Sequence, residues 1–282
     1  MTEHAATTPP PTAPGTPGGR VAAFFDLDKT IIATSSAAAF SRPFLRGGLL
    51  SRGDALRSAY THFLFMLGSA DADQTERMRA MLSTMVTGWD VATVSRIVAE
   101  TLHEHIDPVV YAEAVALIEK HHAQGHDVVV VSASGAELVD PIAAVLGADH
   151  AIATRMTVAD GAYTGEIEFY AYGPYKAEAI ERLAAAEGYD LAASYAYSDS
   201  VTDAPMLAIV GHPAVVNPDR GLRRVADENG WEVLRFVRPV RLRPVVRPVP
   251  TAIVVGTAVA AVAGVLVWRA VRRRSARGQL DG

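Results

Sequence analysis

The chain has 282 residues, half of them hydrophobic, enough for one compact domain with a real core plus a smaller accessory unit. It contains no cysteine, so disulfides and thiolate metal sites are excluded, and a reducing cytosol suits it. Of 26 basic and 31 acidic side chains, residues 235–282 hold ten Arg and one acid, Asp281, which leaves 16 basic and 30 acidic side chains in residues 1–234. An acidic body with a basic tail points to a separate job for the tail at an anionic surface.

Residues 1–20 are rich in Pro, Thr, Ala and Gly and lack an apolar h-region, so they read as a disordered leader rather than a secretory signal. Val21–Phe25 is an apolar run ending in Asp26, which suits a buried strand. Residues 35–124 alternate apolar and polar at helical spacing. Breaks at Gly47-Gly48, Gly68, Gly88-Trp89 and Asp107-Pro108 divide them into four or five helices. Val128–Val131 is a second buried strand, and the two β-prone runs of Met156–Ile167 around Asp160-Gly161 predict a hairpin with a primed turn.

Lys176–Glu187 is helical, and Ser194–Tyr197, Ala214–Val216 and Glu232–Phe236 read as further strands. Strands alternating with helices predict an α/β fold with a doubly wound parallel sheet, its core formed by residues 21–34 and 107–237. Residues 35–106 are too long for an ordinary crossover and are expected to form a helical cap over the carboxyl ends of the strands. A basic Pro-rich linker follows at 238–250, then a charge-free apolar run at 251–268 and a basic tail at 269–282.

The run 251–268 just meets the length of a transmembrane helix. It spans a membrane, lies against one, or packs as a buried helix, and the flanking Arg favour spanning. Five Arg on each side leave its orientation undecided. The expectation is a membrane-associated protein with its catalytic domain in the cytoplasm. No nucleic-acid partner is expected, and the oligomeric state is left open.

Four segments at strand ends carry groups that phosphoryl transfer needs. In Asp26-Leu27-Asp28-Lys29-Thr30, residues two apart in extended chain project to the same side, so both carboxylates face one site. One can attack phosphorus and form an aspartyl phosphate, while the other protonates the leaving alkoxide and later deprotonates water. A plain divalent-ion site is the alternative. In Ser132-Ala133-Ser134-Gly135, a hydroxyl and the neighbouring backbone N–H groups suit a phosphate, although an ordinary turn reads equally well.

Lys176 is one of only three lysines, with Lys29 and Lys120, in a chain that otherwise uses Arg. An ammonium there serves as a compact charge between nucleophile and phosphate, or is simply a solvated helix residue. Asp199 and Asp203, four apart at a strand-to-helix turn, suit Mg²⁺, with Asp203 as a plain helix cap the alternative. The histidines at 103, 105, 121, 122 and 126 lack partners for zinc. Tyr170, Tyr172 and Tyr175 line the site's entrance or form a packed loop, and the Arg42–Gly48 segment is a candidate for substrate selection from the cap side.

Taken in this order, the four motifs resemble the haloacid dehalogenase superfamily, specifically the subfamily that includes phosphoserine phosphatase, from about Val21 to Val237. The resemblance implies Asp26 as nucleophile and Mg²⁺ ligand, and Asp28 as acid/base that ligates Mg²⁺ through its carbonyl. It also implies Thr30 orienting Asp28, and Ser132 with Ala133 and Ser134 binding phosphate. Lys176 would neutralise charge, Asp199 would ligate Mg²⁺, and Asp203 would order the metal shell. Two positions depart: the Glu expected nine residues after the nucleophile is Ser35, and the Asn expected before Asp203 is Thr202. A neutral hydroxyl at 35 cannot pair with a substrate ammonium. The implied activity is hydrolysis of a small phosphorylated metabolite or lipid-derived phosphate. A phosphotransferase or mutase and a catalytically idle membrane scaffold are the alternatives.

Overall fold

Strand β1 (Ala22–Asp26) is buried along its whole length, as expected of a central strand covered on both faces. The computed structural model describes residues 19–50 and 72–237. Around β1 it assembles β2 (Asp127–Gly135), β3 (His150–Ala159), β4 (Ala162–Phe169), β5 (Tyr195–Ser198), β6 (His212–Val216) and β7 (Glu232–Leu234) in the order β4-β3-β2-β1-β5-β6-β7. Neighbours run parallel except β3 and β4. The chain moves outward from β1 through β2 and β3, then returns to the other side of β1 with β5. The strand order therefore reverses between β1 and β5, and a crevice opens there at the carboxyl ends. Asp26 ends β1, and Asp199 follows β5 directly.

Alternation along the strands splits the core in two. Phe24, Val129, Val131, Ala196 and Val215 face Ile180, Met206, Leu207 and Leu222. Those last four belong to α6 (Pro174–Glu187), α7 (Ala204–Ala208) and α8 (Arg220–Asn229). Phe25, Val128, Val130, Tyr197 and Val216 share the opposite core with Ile118 of α4 (Ala112–Ala123) and Ile142 of α5 (Ala136–Leu146). Phe40 and Phe44 of α1 (Ser36–Arg46), Val86 of α2 (Ala72–Val86), and Val94 and Ile97 of α3 (Val91–His105) join it. At about 1.5–3 kcal/mol for each large side chain buried, this shared core seats the cap.

Of the four expected breaks, three fall in the described residues and are real. Gly47 closes α1, Gly88-Trp89 separates α2 from α3, and Asp107-Pro108 opens a short 3₁₀ turn. The chain's two crossings between core and cap lie side by side, with Ala33 N–H on Val109 O (2.7 Å) and Tyr111 N–H on Ile31 O (2.9 Å). The hairpin turns at Asp160 and Gly161, both with positive φ (50° and 79°), as a primed turn requires. Its first strand begins at His150 rather than Met156: His150–Thr154 run parallel to β2, and the rest pairs antiparallel with β4. The loop between α2 and α3 covers the hairpin's outer edge through Gly88 N–H on Tyr163 O (2.8 Å) and Tyr163 N–H on Trp89 O (3.0 Å).

Gly19 and Arg20, read as leader, belong to the fold. Arg20 pairs with Asp127 and Glu187, and its backbone bonds to Gly188 and Asp190. The remainder of the leader, the cap around Gly68, the linker, the apolar run and the basic tail lie outside the described residues. Among the described residues no helix is long and apolar enough to cross a membrane.

Candidate active site

Asp26 leaves β1 buried, 6% exposed, and its Oδ1 accepts a hydrogen bond from Lys176 Nζ at 2.7 Å. Lys176 stands in the first turn of α6, after Gly173, whose φ of 55° turns the chain into the helix, and Pro174. At 3% exposure it is not a solvated helix residue. Its Nζ also donates to Asp203 Oδ2 at 2.8 Å. Burial opposes the lysine's charge, but Asp203 and Asp26 outweigh it and hold the pKa above the ordinary lysine value. Asp203 sits at the N-cap position of α7 without making a capping bond, and Ser198 Oγ donates to the same Oδ2 at 2.7 Å. The plain-cap reading of Asp203 therefore fails: its carboxylate anchors the lysine.

The turn after β1 swings Asp28 and Thr30 apart. Lys29 takes φ of 64°, and Ile31 and Ile32 N–H both bond to Leu27 O. Thr30 Oγ1 lies 3.5 Å from Asp199 Oδ1, so it supports Asp199 rather than Asp28. Asp28 is held instead by Ser36 N–H on Oδ1 (2.8 Å) and by Ser134 Oγ on Oδ2 (3.3 Å). Desolvation raises its pKa, while Ser36, Lys176 and Ser134 draw it back. Ser132 is buried and its Oγ accepts from Ser134 N–H at 3.2 Å, which leaves its O–H to donate. Ala133 O accepts from Thr154 Oγ1 (2.7 Å), which in turn accepts from Ala171 N–H (3.2 Å). Buried Thr154 thus ties Ser132–Ser134, the irregular end of β2, to the segment that leads to Lys176.

Asp199 is 8% exposed, and its backbone O accepts from Asp219 N–H at 2.8 Å. Burial, with Asp26 and Asp203 adding to it, pushes its pKa up to about 8 against the pull of Lys29 and Lys176. Burial likewise pushes Asp26 up to about 7 despite Lys176, with Asp203 and Asp28 contributing. Three buried carboxylates around one buried ammonium are short of positive charge, which is what a hard divalent cation supplies. The carboxylates that would hold it are Asp26 and Asp199, with Asp203 beside them, and Lys176 already holds one oxygen of Asp26 and one of Asp203. Among the described residues no three carboxylate or imidazole side chains form a ready cage. One or two carboxylates, completed by water and phosphate, is the donor set that suits Mg²⁺.

The other candidates resolve differently. His121 is buried between Tyr197 Oη (2.9 Å) and His126 Nδ1 (3.0 Å), a packing role. His103 pairs with Asp107, and His122 with Asp149. Tyr170 and Tyr172 stack at 5.4 Å as a packed loop, while Tyr175 is half exposed. Arg42 and Arg46 lie on the exposed face of α1. Sequence reasoning passed over Ser36, Thr154 and Ser198, because a single hydroxyl in a helix or strand carries no pattern of its own.

The chain matches the haloacid dehalogenase-like hydrolase family over residues 23–208. It is 58% identical over 264 residues to the inhibition of morphological differentiation protein of Streptomyces azureus, covering 91% of this chain and 95% of that one. Identity is 57% over 272 residues, and coverage 94% of each chain, to a probable phosphatase of Mycobacterium tuberculosis. A solved substrate-bound phosphoserine phosphatase, 22% identical, aligns with a TM-score of 0.57 over 78% of this chain and 94% of that one, which shows a common fold. The family match begins one residue into β1 and ends with α7, so it takes in each strand end that bears an active-site aspartate. The chain therefore belongs to the haloacid dehalogenase-like hydrolases, and it is a phosphatase.

Proposed function

We propose that the protein is a Mg²⁺-dependent phosphomonoesterase that works through an aspartyl phosphate on Asp26. The observation that carries this reading is the buried Lys176 bridging Asp26 and Asp203 at 2.7 and 2.8 Å at the switch point of the sheet. The bridge fixes one oxygen of Asp26 and leaves the carboxylate's other oxygen for in-line attack. Bound Mg²⁺ supplies charge neutralisation for the phosphoryl oxygens. Lys176 adds a second fixed positive charge, Ser132 O–H donates to a phosphoryl oxygen, and Asp28 passes a proton to the departing alkoxide and then takes one from water. The aspartyl phosphate is a mixed anhydride that this water hydrolyses, restoring Asp26.

The substrate we infer is a small phosphorylated metabolite or a lipid-derived phosphate without an ammonium next to the ester. Ser35 supports this, because it is the neutral N-cap of α1, its Oγ accepting from Ala38 N–H at 3.1 Å. The reading also tethers the enzyme to the cytoplasmic face of a membrane through residues 238–282. In its support, the last described residues, Phe236 and Val237, follow β7 at the carboxyl end of the sheet, the end that carries Asp26. The basic sequence 238–250 continues from there, and such a run of Arg is drawn to an anionic surface.

The test is a panel of phosphomonoesters with Mg²⁺ or with chelator, on wild type and Asp26→Asn. Turnover is expected to need Mg²⁺ and to fall below roughly a thousandth in the variant. Full activity in Asp26→Asn removes the nucleophile, and full activity in chelator removes the metal.

A further inference from the structure

Asp28 must be aimed as well as present, and two serines outside the reacting centre hold it. Ser36 is fully buried in the first turn of α1, although its neighbours Ala37 and Ala38 are exposed. Its backbone N–H occupies Asp28 Oδ1 at 2.8 Å, and its Oγ lies 2.7 Å from Ser134 Oγ. Ser134 Oγ in turn donates to Asp28 Oδ2 at 3.3 Å. A serine hydroxyl has a single proton. With the Ser134 proton on Asp28, Ser36 is the donor in the short contact between the serines, and the Ser36 side chain also acts on Asp28 directly. The chain of donation runs from Ser36 O–H to Ser134 O–H to Asp28.

We propose that Ser36 and Ser134 are positioning residues for the acid/base Asp28, and that Ser36 acts through Ser134. The carboxyl plane is fixed at two points that belong to different parts of the molecule. Oδ1 is held by the first turn of α1, and Oδ2 by the irregular end of β2. Asp28 is aimed through α1 as well as β2, so the seat of α1 on the core also orients the proton donor. Ser134 is then occupied by Asp28 and is not the phosphate ligand that its place beside Ser132 suggests. The inference rests on Asp28 being the acid of the proposed reaction.

A misaimed general acid hurts most when the leaving group needs its proton. Phenol, with a pKa of about 10, needs it far more than the more acidic 4-nitrophenol. The experiment measures kcat and KM of the full chain with Mg²⁺ on phenyl phosphate and 4-nitrophenyl phosphate, for wild type, Ser36→Ala, Ser134→Ala, the double variant and Asp28→Asn. Each serine variant is expected to lose about tenfold in kcat on phenyl phosphate and several times less on 4-nitrophenyl phosphate, with KM little changed. The double variant should lose less than the product of the two single losses, since the two hydroxyls share one contact and one target.

Equal losses on the two esters mean a general structural defect and overturn the proposal. A rise in KM for Ser134→Ala with kcat intact makes Ser134 a phosphate ligand and overturns it too. Losses that multiply in the double variant deny the relay. Asp28→Asn separates the two layers. If it alone shows the leaving-group dependence, the positioning roles fall and the acid stands. If it shows none, the acid assignment falls and takes the inference with it.

Discussion

Replacing Lys176 with Met keeps most of the stem's volume and removes the ammonium from between Asp26 and Asp203. At 2.7 and 2.8 Å, each contact is worth about 6 kcal/mol of attraction at an effective dielectric constant near 20. Desolvation of three groups that are 8% exposed or less cancels much of this, and breaking such a buried pair from one side costs about 3–5 kcal/mol. The loss should depend on pH with a definite sign. Without the lysine, Asp26 has no cation to offset its burial, so its folded pKa rises even further above its unfolded value. A carboxyl with a raised folded pKa contributes stability below its unfolded pKa and loses it as pH rises through the folded one. Urea titrations of the metal-free protein should therefore show a penalty of about 3–5 kcal/mol at pH 8 and a much smaller one at pH 5. Hydrolysis with Mg²⁺ should drop by about 10²–10³ at either pH. A penalty of the same size at pH 5 and pH 8 refutes the charge argument and leaves only lost packing.

The wild-type protein without metal should itself lose stability as pH rises from about 4 through 8, because Asp26 and Asp199 titrate near 7 and 8 in the fold. Millimolar Mg²⁺ should raise the melting temperature more at pH 8 than at pH 5.5, and an equal rise at both would place the cation elsewhere. His121 acts in the opposite sense: burial lowers its pKa to about 4, so its contribution is lost as pH falls from about 6.5 towards 4. His121→Phe should cost about 1–3 kcal/mol at pH 7 by leaving Tyr197 Oη unpaired, and should flatten the acid limb of the stability curve. In Gly165→Ala a Cβ would meet Thr87 Oγ1 at 2.3 Å at a φ of 92°, so α2 should loosen from β4 at a cost of about 1–3 kcal/mol. Faster proteolysis within the cap at unchanged temperature checks this, and wild-type rates would show that the contact gives way freely.

The sequence by itself put forward the groups for the proposed chemistry. Asp26, Asp28, Lys176, Asp199 and Asp203 stood out together: each signal is modest, but they follow one another at strand ends with complementary chemistry, and Lys176 is one of only three lysines. The parallel core and the Asp160-Gly161 hairpin were legible because strand burial and positive φ leave marks in residue type. Tertiary structure decided what each carboxylate touches. Thr30 faces Asp199 because Lys29 turns the chain through a left-handed conformation, which residue spacing does not encode. Asp203 binds the lysine instead of capping its helix because α6 packs against α7 and the short turn before it. Ser36 and Ser134 lie 98 residues apart and become partners only where the cap's first turn settles on the end of β2. Contacts between distant hydroxyls depend on how the elements pack, and no local pattern announces them.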